Sequence, residues 1–147
     1  VACGTGRYLE NFRGFVCSGI DLCPRSLQHA QLRVPSGQFY VQDMANIDIE
    51  ETFDGILCLF GAIGYLSPND QRKRSLERFC DHLRKGGILI IEPWVSTVDF
   101  RSGEPFLQTY QTANFKLARM VIPEQENGLC KLQFEFLSQI YALIHHK

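Results

Sequence analysis

Short apolar runs separated by segments of helical spacing fill the first half of the chain, which predicts a parallel sheet with crossover helices. Val1-Ala2-Cys3 reads as the end of a first strand, turned by Gly4-Thr5-Gly6. A helix over residues 7–12 should follow, with Leu9 and Phe12 on one face. Residues 15–20 read as a second strand ending at Asp21. Pro24 suits the first turn of the next helix, where a missing N–H costs nothing. Leu27, Ala30 and Val34 would form that helix's buried stripe. Residues 39–41 make a short third strand that ends in Gln42-Asp43-Met44. Residues 53–60 are almost continuously apolar, as a central strand covered on both faces should be.

The clearest local signal follows. Ser67-Pro68 supplies an N-cap and a first-turn proline, with Asp70 in the first turn. Leu76, Phe79, Cys80 and Leu83 recur at helical spacing, Arg84 and Lys85 fall in the last turn, and Gly86 ends it. His29 and His82 lie on these predicted helices and read as surface residues. Ile88-Leu89-Ile90-Ile91 form a fifth strand ending at Glu92-Pro93-Trp94. Beyond Trp94 the texture changes. Residues 95–112 look irregular, and two β-rich runs over 114–123 and 129–142 are joined by Glu126-Asn127-Gly128, a hairpin signal. The expected organisation is a Rossmann-like core over 1–94 and an antiparallel β insert over 95–147, lying as a lid over the substrate site.

Composition narrows the function classes. The 147 residues are 45% hydrophobic and 21% charged, ordinary for a globular protein. A net charge of −1 gives no footprint for nucleic acid and no polybasic patch for a membrane surface. The run Arg72-Lys73-Arg74 is more simply a solvated helix face. The six cysteines (Cys3, Cys17, Cys23, Cys58, Cys80, Cys130) contain no Cys-x-x-Cys pair, so no metal is expected. No apolar stretch reaches the roughly 20 residues of a membrane span. No signal peptide is evident, which makes the cytoplasm the expected location. The expected partners are therefore a small-molecule substrate, no nucleic acid and no membrane, with a homodimer left open.

Three features fall at successive strand ends, the edge where open α/β sheets bind ligands. The small residues of Ala2-Cys3-Gly4-Thr5-Gly6 let a ligand approach the backbone closely, or simply make a tight turn. A dinucleotide fingerprint would place a third glycine where this chain has Leu9, and a triphosphate loop would need Gly-Lys-Ser/Thr. Asp21 can accept bonds from both ribose hydroxyls, or start an Asx turn. Asp43 can meet an adenine amino group with Met44 on the ring, though alone it reads as a turn. The argument lies in the conjunction.

These motifs, with Phe53-Asp54, Leu59-Phe60-Gly61-Ala62-Ile63-Gly64-Tyr65-Leu66, Gly86-Gly87 and Glu92-Pro93-Trp94, resemble class I methyltransferases. More narrowly, they resemble the nucleotide-sugar N,N-dimethyltransferases of the desosamine and mycaminose type. The resemblance implies an α/β, Rossmann-like class I methyltransferase sheet with S-adenosyl-L-methionine as cofactor. It places Ala2, Cys3, Gly4 and Gly6 against the methionine and ribose, Asp21 and Leu22 at the ribose, and Asp43 and Met44 at the adenine. Leu59, Phe60 and Gly61 fall beside the sulfonium, and Tyr65, Glu92 and Trp94 on the substrate side. Relatives often carry serine where Gly61 stands, so a hydroxyl contact is not expected there. The fold is expected to be truncated at both ends, lacking an N-terminal helical cover and two closing strands.

Methyl transfer to a neutral amine mainly requires two reactants to be aligned, worth up to roughly 7–11 kcal/mol in model reactions. Phe60, Tyr65 and Trp94 are rings that suit a soft cation. The amine must lose its proton before attack. Glu92 and Tyr65 are the candidate acceptors, with the catalytic base left open, since Glu92 can equally cap a loop. The competing readings are a methyltransferase for another nitrogen or oxygen acceptor, a non-catalytic cofactor-binding domain, and a nicotinamide oxidoreductase.

Overall fold

A computed structural model of the chain describes residues 1–66, 70–93, 100–113, 115–126 and 129–140. It divides into two compact units, Val1–Trp94 and Val95–Lys147.

In the first unit, β1 (Ser18–Asp21) pairs in parallel with β2 (Gln38–Val41), and β3 (Phe53–Cys58) pairs in parallel with β4 (Leu83–Ile91). Residues 1–3 join the two pairs. The Cys3 N–H donates to the Ile20 carbonyl at 2.9 Å, and the Val1 nitrogen donates to the Leu57 carbonyl at 2.8 Å. The order is therefore β2, β1, residues 1–3, β3, β4. The chain steps outward on one side of residues 1–3, then crosses to the other. Such a reversal of strand order leaves a crevice beyond the carboxyl ends of the strands.

Two helices cover this sheet. α1 (Pro24–Arg33) starts with Cys23 as N-cap and proline in its first turn, and it buries Leu27 and Ala30. α2 (Asp70–Asp81) buries Ser75 and Phe79, four residues apart on one face. Ile20, Ile47, Ile56, Cys58, Ala62 and Phe79 form the core cluster, against which Met44, Leu89 and Ile91 are partly buried. Burying a phenylalanine as fully as Phe79 contributes about 1.5–3 kcal/mol.

Several boundaries differ from the sequence reading. The helix over 7–12 is a single 3-10 turn, Leu9–Asn11, with no buried residue. Gly14, at φ +86°, turns the chain just beyond it. Phe15 and Val16 are exposed, and β1 starts only at Ser18. The second helix ends at Asp81, because Leu83 already pairs with Phe53. Arg84, Lys85 and Gly86 thus lie in β4. Gly86, at φ +80°, sits where the register shifts, and Arg84 pairs with Asp54 at 2.5 Å. His82 is buried rather than a surface residue, with Nδ1 2.7 Å from the Arg78 carbonyl. Ser67-Pro68 lies outside the described residues.

The second unit is an antiparallel sheet of order β5 (Phe106–Gln111), β6 (Phe115–Glu126), β7 (Leu129–Ile140). β5 occupies part of the segment read as irregular. Adjacent apolar residues at Phe106-Leu107 break the alternation that marks a strand. Val121, opposite Phe106 and Phe134, is fully buried, and the Arg119 guanidinium lies 5.6 Å from the centre of the Phe134 ring. The Asn127-Gly128 turn lies outside the described residues.

Among the described residues no helix is long and apolar enough to cross a membrane. Nor does any cluster of three or more His, Cys, Asp or Glu among them suit a metal ion.

Candidate functional site

The rim of the crevice is assembled by bonds between neighbouring strand ends. Asp21, the last residue of β1, uses both carboxylate oxygens. Oδ2 accepts the Gly4 N–H at 2.8 Å, and Oδ1 accepts the Cys23 N–H at 2.9 Å. It is thus an Asx turn into α1 and, in the same stroke, a brace for the glycine turn. A carboxylate has about four acceptor positions, so two further donors can still be met. The Gln42 N–H donates to the Asp21 carbonyl at 3.2 Å, which sets Asp43 next along the same edge. Asp43 Oδ1 accepts the Ala45 N–H at 2.9 Å and its carbonyl accepts the Asn46 N–H at 2.9 Å, the turn that its sequence suggests.

Gly4 and Gly6 are both left-handed, at φ +52° and +70°, for different reasons. A Cβ on Gly4 would meet nothing within 4 Å, so the backbone there is open to close approach. A Cβ on Gly6 would lie 3.0 Å from the Ala30 Cβ, so α1 packs directly on the turn. Ala2 shares the left-handed region at φ +51°, which no sequence signal announces. The Thr5 carbonyl accepts Arg33 Nε at 3.2 Å, and Arg33 is paired with Glu10 at 3.1 Å. This brace was also not legible, since it joins residues 28 apart through a backbone acceptor. A surface depression lined by Thr5, His29, Leu32 and Arg33 lies on this α1 side and includes neither rim carboxylate.

On the other side of residues 1–3, the chain leaves β3 through Leu59, half-buried, and two left-handed residues, Phe60 at φ +56° and Gly61 at φ +65°. Glu92, just past β4, is bonded to this bend. Its N–H donates to the Cys58 carbonyl at 2.9 Å, and its carbonyl accepts the Gly61 N–H at 3.0 Å. Its Oε2 accepts the Phe60 N–H at 2.9 Å. The Phe60 ring lies on Tyr8, with centroids 4.5 Å apart. Tyr65 ends the 3-10 turn Ala62–Tyr65 and is exposed. Leu22 is exposed beside Asp21, and Trp94 lies outside the described residues.

Burial pushes the Cys3 and Cys58 thiols above the ordinary cysteine range, so both are neutral fillers at the strand ends. Cys23 differs: hydrogen bonding from Ser26 draws its thiol down.

The structure thus gathers Ala2, Cys3, Gly4, Gly6, Asp21 and Asp43 along one stretch of rim, and Leu59, Phe60, Gly61 and Glu92 along the next. The Tyr8–Phe60 ring contact joins the two stretches.

Comparison with known proteins extends this picture. The profile of a family described as "Methyltransferase domain" matches residues 1–87. The chain is 27% identical over 138 residues to the dTDP-3-amino-3,4,6-trideoxy-alpha-D-glucopyranose N,N-dimethyltransferase of Streptomyces venezuelae, covering 92% of this chain and 58% of the relative. It is 36% identical over 96 residues to the dTDP-4-amino-2,3,4,6-tetradeoxy-D-glucose N,N-dimethyltransferase of Saccharopolyspora spinosa, covering 64% and 39%. The chain therefore spans less than two thirds of the length of these relatives. Among solved structures, Streptomyces venezuelae DesVI matches with a TM-score of 0.81 at 24% identity, covering 95% of this chain and 65% of that one. SAM-bound CalS10, an amino pentose methyltransferase from Micromonospora echinaspora involved in calicheamicin biosynthesis, matches at 0.79 and 24%, covering 96% and 66%. Likeness at this identity establishes a shared α/β fold.

Proposed function

Because this chain belongs to the methyltransferase domain family, we propose that it is the S-adenosyl-L-methionine-binding core of a class I enzyme that methylates the amine of a nucleotide-linked amino sugar. One observation carries the cofactor part: the Gly4 N–H bonded to Asp21, beside the point where strand order reverses. The residues present fit an adenosyl group. Asp21 keeps acceptor capacity for two ribose hydroxyls. Asp43 Oδ2 accepts no hydrogen bond among the described residues and can take an adenine amino group. Gly4 leaves its backbone approachable. Ala2, Cys3 and Gly6 shape the turn, Leu22 and Met44 flank the nucleoside, and Leu59, Phe60 and Gly61 line the methionine end.

When bound, S-adenosyl-L-methionine supplies an electrophilic methyl group carried on a sulfonium. The protein's work is to hold and orient. Backbone at Gly4 and Gly61 would hold the ribose and methionine portions, and ring faces at Phe60 and Tyr8 attract a soft cation by about 0.5–2 kcal/mol. Tyr65 and Trp94 belong to the acceptor side of the reading; Glu92 is taken up below.

The acceptor class is supported by the extent of the matches. The family profile ends at residue 87, whereas the alignment to the Streptomyces venezuelae sugar dimethyltransferase covers 92% of the chain and so runs into the second unit. Residues 95–147 are accordingly read as the part of the chain that recognises the sugar. The proposal places the enzyme in the cytoplasm, and the net charge of −1 supports small molecules over a polyanion as its partners.

Calorimetric titration of the full-length protein with S-adenosyl-L-methionine and with NAD tests the cofactor: heat with the first alone is expected, and heat with NAD alone refutes it. Amine acceptors, dTDP-amino sugars among them, then test the reaction by mass. A gain of one or two methyl groups on the sugar is expected. Methylation of other acceptors only, or of none, refutes the sugar assignment or the enzyme assignment respectively.

A further inference from the structure

We infer that Glu92 is a positioning residue that fastens the Phe60–Gly61 bend; the inference rests on the cofactor reading above. A phenylalanine in the left-handed region is disfavoured by its own Cβ, and here a second left-handed residue follows it. Such a bend needs to be held from outside. Glu92 holds it with three atoms. Two of its bonds, N–H to Cys58 and carbonyl from Gly61, are backbone bonds that other residue types could make. The third is specific to the side chain: Oε2 reaches back across the strand pair to accept the Phe60 N–H at 2.9 Å. The same fastening sets the Phe60 ring against Tyr8, which follows the glycine turn. Glu92 therefore reaches the cofactor pocket through Phe60, bridging the two chain segments that flank the strand-order reversal.

Glu92→Gln and Glu92→Ala in the full-length protein separate this role from general-base catalysis. Glutamine keeps an acceptor oxygen for the Phe60 N–H and cannot act as a base. Glu92→Ala should speed hydrogen exchange at the Phe60 amide by about tenfold or more, and weaken cofactor binding roughly tenfold, as loss of one charge-assisted bond implies. The KM for the acceptor and the acid limb of the kcat–pH profile should stay as in the wild type. Glu92→Gln should restore most of the exchange protection and most of the cofactor affinity, and it serves alone if the alanine variant does not fold. The inference is overturned if Phe60 exchange is unmoved in Glu92→Ala. It is overturned equally if Glu92→Gln loses kcat and the acid limb. A wild-type protein that binds no S-adenosyl-L-methionine refutes the proposed function, while the Phe60 exchange rates still decide the fastening.

Discussion

Asp21→Asn is nearly isosteric, yet it removes what the rim depends on: two acceptor oxygens on one side chain. Asparagine presents one oxygen and one NH2. Whichever way the amide is turned, either the Gly4 N–H, now 2.8 Å from its acceptor, or the Cys23 N–H, at 2.9 Å, must face a donor. A hydrogen bond to a charged acceptor contributes about 1.5–3 kcal/mol. The Cys23 bond is exposed and the Gly4 bond part-buried, so the lower end, about 1.5 kcal/mol, is the appropriate loss of stability. For a chain of this length that lowers the melting temperature by roughly 3–6 °C. Cofactor binding suffers a second, separate loss. If both ribose hydroxyls donate to the carboxylate, asparagine can serve only one, which raises the Kd roughly 10–150-fold. Titration of S-adenosyl-L-methionine into both proteins, well below either melting transition, measures this second loss free of the first. A Kd equal to that of the wild type would remove Asp21 from the cofactor site, whatever the melting temperature does, and leave it only the Asx turn.

Other perturbations follow from the same geometry. Gly6→Ala places a Cβ 3.0 Å from Ala30 at φ +70°, so strain and overpacking together should cost about 2–5 kcal/mol in denaturant unfolding. Gly4→Ala, with open space around the new methyl, should cost only the strain, about 1–2 kcal/mol; equal losses at the two positions would contradict the packing of α1 on the turn. Ala2→Gly should stabilise by about 0.5–1 kcal/mol, because the relief of a left-handed alanine exceeds the added entropy of glycine, and a lower denaturation midpoint would count against that backbone. Alkylation mapped by mass spectrometry at neutral pH should modify Cys23 before Cys3, Cys17 and Cys58. A thiol drawn below its ordinary range carries more thiolate, and the other three are pushed up by burial; Cys17 reacting first would refute that order.

Elements and strand order were legible to different degrees in this chain, and the reasons are local. α1 is readable because Pro24 marks its first turn and Leu27 and Ala30 mark its buried stripe. β2 is readable from its apolar run alone. The end of α2 was not. Arg84, Lys85 and Gly86 carry the composition of a helix C-terminus, but tertiary pairing of Leu83 with Phe53 starts the strand first. His82 misleads for the same reason, since it sits at the buried junction between α2 and β4 and its carbonyl accepts the Phe53 N–H at 2.8 Å. β5 has neither alternation nor burial to announce it, only pairing with β6. Asp21 and Asp43 were legible as rim residues because strand ends in a parallel sheet bring acids at those positions to one edge. The braces from Arg33 to the Thr5 carbonyl and from Glu92 to the Phe60 amide were not, because a side chain bonded to a distant backbone group leaves no spacing pattern.

The left-handed residues make the same point from the energetic side. Gly4, Gly6 and Gly61 could be suspected, since glycine adopts that conformation at little cost. Ala2 and Phe60 could not, and both sit at the ends of the two strands between which the order reverses. Each is held by neighbours rather than by its own preference. Ala2 lies between Val1, bonded to Leu57, and Cys3, bonded to Ile20, so the strands on either side dictate its backbone. Phe60 is dictated by Glu92. Strain of this kind persists only while the surrounding sheet over-determines it. The site and the sheet are therefore one cooperative object: a substitution that loosens β3–β4 pairing, even far from the rim, should release Phe60 before it unfolds the core.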